Sequence, residues 1–107
     1  MRINADLLAS LANQVFDLGM DGRLSSEQVH LALALGKRLR GAWVNLVTAE
    51  FEQATPLFTE ASKALDATNE RLREAKESID KIADALKMAA TLLEILDRLL
   101  VTAVKFL

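Results

Sequence analysis

The stretch that decides the fold is LDATNERLREAKESIDKIADALKMAATLLEILDRLLVTAVKFL, residues 65–107, in which a large apolar residue recurs every seven positions. These residues are Leu65, Leu72, Ile79, Leu86, Leu93, Leu100 and Leu107, and we call them the seam. A second apolar set follows three positions later, at Ala75, Ile82, Ala89, Leu96 and Ala103, with only Thr68 polar. The phase extends back through Val44, Val47, Phe51, Ala54, Phe58 and Ala61. Such a repeat is typical of helices that pack in coiled-coil fashion.

The composition favours an all-α protein. Of 107 residues, 51% are hydrophobic but only 5% are aromatic, and Leu and Ala, which favour helices, dominate. One Pro, four Gly and no Tyr leave little material for turns or strands. We therefore predict a single helical domain over residues 1–107, a hairpin or bundle with one long carboxyl-terminal helix and antiparallel packing.

The charge balance and the missing cysteines exclude several classes of function. With 13 basic and 15 acidic residues, the net charge is −2, so we expect no nucleic acid partner. The absence of cysteine excludes disulfides and thiolate catalysis. Residues 1–6 lack the apolar core of a secretory signal, so we expect a cytoplasmic protein, with export lacking a classical signal as the alternative.

The first half of the chain predicts two helices joined by a tight turn. Apolar residues spaced by three and four predict a helix over 4–18, with Asn4 as its N-cap. A turn over 19–24 follows, where glycines allow positive φ. Ser25 and Gln28 then form a predicted capping box that starts a helix over 25–54. Within this helix, Gly36 permits a close helix approach and Gly41 a bend.

The pair Thr55-Pro56 has two interpretations. Thr as N-cap followed by Pro at the first helical position favours a chain reversal. The uninterrupted apolar phase instead fits one helix kinked at Pro56. From there we predict a long helix over 56–107, kinked or broken near 88–90.

The second half of this helix needs a cover. Charged residues flank a narrow apolar stripe up to Lys81, whereas from Ile82 onward apolar residues spread over most of the circumference. A helix over 25–54 that folds back covers only residues up to about 86, at roughly 1.5 Å per residue. The remainder must pack back on its own chain or be covered by a second copy, another protein or lipid. We expect a homo-oligomer or a complex with another helical protein, with this predicted interface: Leu86, Leu93, Leu96, Leu100, Ala103 and Leu107.

The turn between the first two helices resembles the twelve-residue calcium loop of the EF-hand family. The match rests on Asp17, Asp21 and Ser25 at ligand positions, with Gly22 at position six and Leu24 at position eight. Gly19 and Gln28 stand where the family has a coordinating side chain and a bidentate Glu. We therefore predict a turn without metal, and weak calcium binding through Asp17, Asp21, Ser25 and Gln28 is the alternative.

No constellation of residues predicts catalysis or a cofactor. His30 is the single histidine, and the carboxylates of the long helix are spaced to pair with Lys and Arg. Lys37, Arg38 and Arg40 form a basic cluster beside Trp43, which we interpret as a solvated face. A phosphate contact, or a cation–π contact between Arg40 and Trp43, is the alternative.

The sequence thus predicts a non-catalytic helical interaction module that assembles through the seam. The alternative is a membrane-active protein, part of a pore or a membrane-associated effector, that uses residues 86–107. This is not favoured, because four charged residues lie within the last twenty, Glu94, Asp97, Arg98 and Lys105. A small secreted helical-hairpin protein is a further alternative.

Overall fold

The computed structural model describes residues 1–106, and these form four α-helices packed as two hairpins. The helices are α1 (Ala5–Gly19), α2 (Ser26–Leu46), α3 (Pro56–Glu77) and α4 (Ile82–Leu100), with a 3₁₀ turn at Ile79–Lys81. A two-residue strand β1 (Ala49–Glu50) pairs antiparallel with β2 (Lys105–Phe106). The bundle measures 42 × 20 × 19 Å. The predicted all-α class with antiparallel helical hairpins is confirmed.

The caps predicted for the first two helices are present. The Asn4 side chain accepts a hydrogen bond from the Leu7 N–H at 3.0 Å and begins α1. At the start of α2, the Ser25 hydroxyl accepts from the Gln28 N–H at 3.2 Å, and the Gln28 side chain accepts from the Ser25 N–H at 3.0 Å. Reciprocal bonds of this kind satisfy amide groups that no helical carbonyl reaches.

The second helix is shorter than predicted, because α2 ends at Leu46 and not at residue 54. The chain then extends through β1, and Phe51 exchanges two backbone hydrogen bonds with Met1, at 2.6 and 2.7 Å. Thr55 caps α3 by accepting from the Phe58 N–H at 3.2 Å, with Pro56 as the first helical residue. The chain therefore reverses at Thr55-Pro56 and does not continue as one kinked helix.

The predicted single helix over 56–107 is wrong, because the chain breaks at Ser78. This residue is extended, with φ −141° and ψ 119°, and the 3₁₀ turn leads directly into α4. The break lies ten residues before the predicted one at 88–90, where α4 is continuous. The expected packing of α2 along α3 is also not found. Both α2 and α3 pack against α1 and α4, so α2 and α3 lie diagonally across the bundle.

The seam is consequently the inner face of the α3–α4 hairpin. Leu65, Leu72, Leu86 and Leu93 are at most 2% exposed, and further apolar residues of α4 complete the core. These additional residues are Ile82, Ala85, Ala89, Leu92, Ile95, Leu96 and Leu99. The exception is Ile79, a seam residue in the 3₁₀ turn, which is 37% exposed. The apolar surface predicted for residues from Ile82 to Leu99 is thus buried within the same chain, whereas Val101, Val104 and Phe106 beyond α4 stay exposed.

Two glycines are required for space and not for their backbone angles. A Cβ on Gly19 would lie 2.9 Å from the Leu33 side chain, and one on Gly36 would lie 2.9 Å from the Phe16 ring. Within residues 1–106 no glycine has a positive φ, so the turn does not use the freedom that the sequence suggested. Gly36 does allow the predicted close approach, whereas α2 is one helix across Gly41.

Candidate interaction surface

Three of the four residues predicted as alternative calcium ligands, Asp21, Ser25 and Gln28, make hydrogen bonds within the α1–α2 turn and at the start of α2. Asp21 accepts hydrogen bonds from Arg23, from the backbone N–H at 2.9 Å and from the guanidinium at 2.6 Å. These bonds, the guanidinium contributing most, lower the pKa of the Asp21 carboxyl from 3.8 to about 2. Ser25 and Gln28 are engaged in the capping box, and Asp17 is exposed on the last turn of α1.

The turn also contacts the opposite hairpin. The Arg23 guanidinium reaches the Lys76 carbonyl near the end of α3 at 3.4 Å. Within the described chain, no three His, Cys, Asp or Glu residues are placed to hold a metal ion together. Asp21 and Arg23 thus bond to each other within the turn, and Arg23 links the turn to α3.

The predicted interface residues that the structure describes do not form an exposed surface. Leu86, Leu93 and Leu96 are at most 2% exposed, and Leu100 and Ala103 are half-buried. Leu107 lies outside the described residues. In this fold these side chains contact their own chain, so a partner that leaves the fold unchanged must use another surface.

The exposed surface of the bundle includes an apolar cleft between α1 and α2. Its volume is about 230 Å³, and it is lined by Ala9, Ala12, Asn13, Arg40, Trp43 and Val44. The small side chains of Ala9 and Ala12 leave room opposite Trp43, which is half-buried and forms one wall. Val44 is 60% exposed at the rim. The cleft is thus open to solvent and mostly apolar.

The electrostatics of the cleft depend on Arg40. Its guanidinium lies over the Phe16 ring, 4.3 Å from the ring centroid. The cation–π partner of Arg40 is therefore Phe16 and not Trp43, which the sequence had suggested. The Phe16 ring in turn packs against Gly36. Among residues 1–106, neither Arg40 nor Lys37 has a carboxylate within 4.0 Å, whereas Arg38 approaches Asp97 at that distance. Arg40 is therefore a positioned cation at the edge of an apolar cleft, with no acidic partner among the residues that the structure describes.

A second group of exposed apolar residues lies around the β1–β2 pair. Val101, Val104 and Phe106 are 86%, 54% and 57% exposed, and Met1, bonded to Phe51, is 53% exposed. The Lys105 ammonium and the Glu50 carboxylate pair nearby at 3.4 Å.

Sequence reasoning identified the cationic cluster but missed the cleft. The signal for the cleft was that Ala9, Ala12 and Trp43 lie on the facing sides of two antiparallel helices. This signal can be recognised only when it is known that α1 and α2 pack against each other. His30 is exposed on α2.

No family model matches the chain, and neither the curated proteins nor the solved structures include a match to it. The fold and the surface together define a four-helix bundle that has an apolar cleft with a cation, Arg40, at its edge. Within residues 1–106, no helix combines the length and the apolar character that crossing a membrane requires.

Proposed function

We propose that this protein is a non-catalytic helical interaction module, and that it binds an acidic amphipathic helix of a partner protein in the α1–α2 cleft. The observation that carries the proposal is the combination of an apolar cleft, a half-buried Trp43 and an Arg40 guanidinium without an acidic partner. Trp and Arg are enriched among the residues that contribute most to protein interfaces, especially beside pockets.

The dimensions favour one large apolar side chain as the group that enters the cleft. A volume of about 230 Å³ exceeds what a single water needs and suits a Leu, Met or Phe side chain. Val44, exposed at the rim, extends the apolar contact along α2. A helix in a groove presents such residues at three- and four-residue spacing.

The charges favour an acidic partner. Arg40 and Lys37 are one helical turn apart on α2 and have no carboxylate partner in the described chain. A guanidinium held over an aromatic ring is oriented before binding, so less side-chain entropy is lost when a carboxylate pairs with it. A partner helix with Glu or Asp one turn from its apolar anchor would satisfy both features. We place this role in the cytoplasm, as the sequence leads us to expect.

The test is a selection from a displayed library of amphipathic helices in which the polar positions are randomised. We expect the selected peptides to carry an apolar anchor flanked by Asp or Glu and to change Trp43 fluorescence on binding. Val44→Asp should abolish binding and Arg40→Gln should weaken it at least tenfold, with helical circular dichroism unchanged.

Lys63→Asp is the matched control, because Lys63 is exposed on α3 away from the cleft. It should bind the selected peptides as the parent does. Peptides without acidic residues, or peptides that bind Val44→Asp as tightly as the parent, would contradict the proposal.

A further inference from the structure

The connection between α3 and α4 is specified weakly by its own residues. The α1–α2 turn has two glycines and a capping box, and the α2–α3 connection has Thr55 and Pro56. Ser78–Lys81, by contrast, contains no Gly or Pro, and neither the 3₁₀ turn nor α4 has a side-chain cap. Two short-range backbone bonds close it, from the Lys81 N–H to the Ser78 carbonyl at 3.1 Å and from the Ile82 N–H to the Ile79 carbonyl. Nothing in these four residues opposes a continuous helix.

The apolar phase also continues through the connection. Leu72, Ile79 and Leu86 are seven residues apart, as a continuous helix requires, and yet Ile79 is 37% exposed where its seam neighbours are buried. The hairpin thus leaves Ile79 exposed between the buried seam residues Leu72 and Leu86.

The ion pairs of the hairpin are symmetric about this connection. Arg98 pairs with Glu60 at 3.7 Å, and Arg71 pairs with Asp84. The midpoints of both pairs lie close to residues 78 and 79. A continuous helix over α3 and α4 could therefore make the same two pairs with an antiparallel second copy of itself, related by a two-fold axis at the connection.

We propose that two copies of this chain form a dimer by exchanging α4. Residues 56–100 become one helix of roughly 67 Å at 1.5 Å per residue. The α4 segment of each copy then occupies, in the other copy, the place that α4 has in the monomer. Core contacts of Leu86, Leu93 and Leu96 are retained, now between chains. The two Ile79 side chains meet at the axis and become buried.

The balance between the two forms depends on the connection and on concentration. Because the exchanged contacts are the same, they cancel in the comparison. Straightening adds helical hydrogen bonds at residues 78–82 and buries Ile79, whereas association costs translational and rotational freedom. The dimer is therefore favoured as the concentration rises. This assembly does not use the α1–α2 cleft, so it is independent of the function proposed above.

Ile79→Pro separates the monomer from the exchanged dimer. Ser78 already has the extended conformation that a residue before proline prefers, and Ile79 is the first residue of the 3₁₀ turn, where proline is tolerated. In the continuous helix the same proline would remove a hydrogen bond and clash with the preceding turn. We expect the parent protein, refolded at high concentration, to show dimer by light scattering, and Ile79→Pro to remain monomeric with unchanged helical circular dichroism.

Ile79→Ala is the control, because it removes the side chain but permits the helix. It should reduce the dimer fraction less than Ile79→Pro does. A parent that stays monomeric at every concentration, or an Ile79→Pro variant that dimerises as the parent does, would overturn the proposal.

A cross-link distinguishes exchange from simple surface association. The chain has no cysteine, so Glu60→Cys with Arg98→Cys introduces two exposed thiols on neighbouring helices. Treatment of the dimer with a short bismaleimide should join the two chains and give a covalent dimer on a denaturing gel. Treatment of dilute monomer should give only internal links. If the dimer fraction also gave only internal links, α4 would not be exchanged.

Discussion

At the scale of single residues, the two buried polar side chains of α3 are held by hydrogen bonds. Thr68 is the one polar residue of the second apolar set, and it is 1% exposed. Its hydroxyl donates to the Ala64 carbonyl at 2.7 Å, which satisfies the group within its own helix. Asn69 is 6% exposed and accepts from the Gln14 amide at 2.7 Å, so that α1 and α3 share one polar contact in an apolar interface. Thr68 is thus accommodated by a hydrogen bond within α3, and Asn69 by one between helices.

Gly36 and Gly41 should respond oppositely to alanine. Gly41 is exposed and a Cβ there meets nothing within 4 Å, so Gly41→Ala should stabilise the protein by roughly 0.5–1 kcal/mol through helix propensity. Gly36→Ala should destabilise it, because the Phe16 ring has to shift and lose its packing under Arg40, a cost of about 1–3 kcal/mol for overpacking.

Urea denaturation followed by circular dichroism measures both glycine variants, and each serves as the control for the other. If the urea midpoint of Gly36→Ala were higher than that of the parent, the space between Gly36 and the Phe16 ring would be larger than the structure shows.

At the scale of elements, the ends of the helices differ in how strongly their residues specify them. The start of α2 depends on Ser25 and Gln28, whereas α4 begins at Ile82 without a capping side chain. The end of α2 at Leu46 likewise has no glycine or proline beside it. Local chemistry therefore determines where α1, α2 and α3 begin, and contacts with the rest of the molecule determine where the chain leaves the helix.

Ser25→Ala tests the capping box. Loss of the hydroxyl removes the acceptor for the Gln28 N–H, which should lower the free energy of unfolding by about 1 kcal/mol. Ser26→Ala is the control, because Ser26 is exposed and is the first residue within the helix. Thermal unfolding should show a lower midpoint for Ser25→Ala alone. Equal midpoints for the two variants would mean that the cap contributes nothing to stability.

At the scale of the whole molecule, the apolar surface of α4 joins the two hairpins. Leu93 is 2% exposed on α4, which packs against both α3 and α2, whereas Val101 is 86% exposed just beyond the end of α4. The same chemical change at these two positions therefore has different consequences.

Leu93→Asp should unfold the protein, because an unpaired carboxylate cannot be buried there without a cost of several kcal/mol. Val101→Asp, the matched control, should fold with the helical content of the parent. Circular dichroism and the mass in solution measure both. A folded Leu93→Asp with only its oligomeric state changed would show that Leu93 lies in an interface between chains and not in the core.

The sequence by itself determined the helical class, the caps at Asn4 and Ser25 and the apolar stripe that needed cover, and it left Thr55-Pro56 open between a reversal and a kink. These features depend on hydrogen bonds and periodicity within a few residues, so they can be read locally. Only the tertiary structure decided that the cover comes from the same chain. The break at Ser78, the diagonal placement of α2 and α3, and the cleft beside Trp43 all follow from burying α4 in the bundle. That burial outweighs the few helical hydrogen bonds lost at residues 78–81, and no local pattern records such a balance between distant parts of the chain.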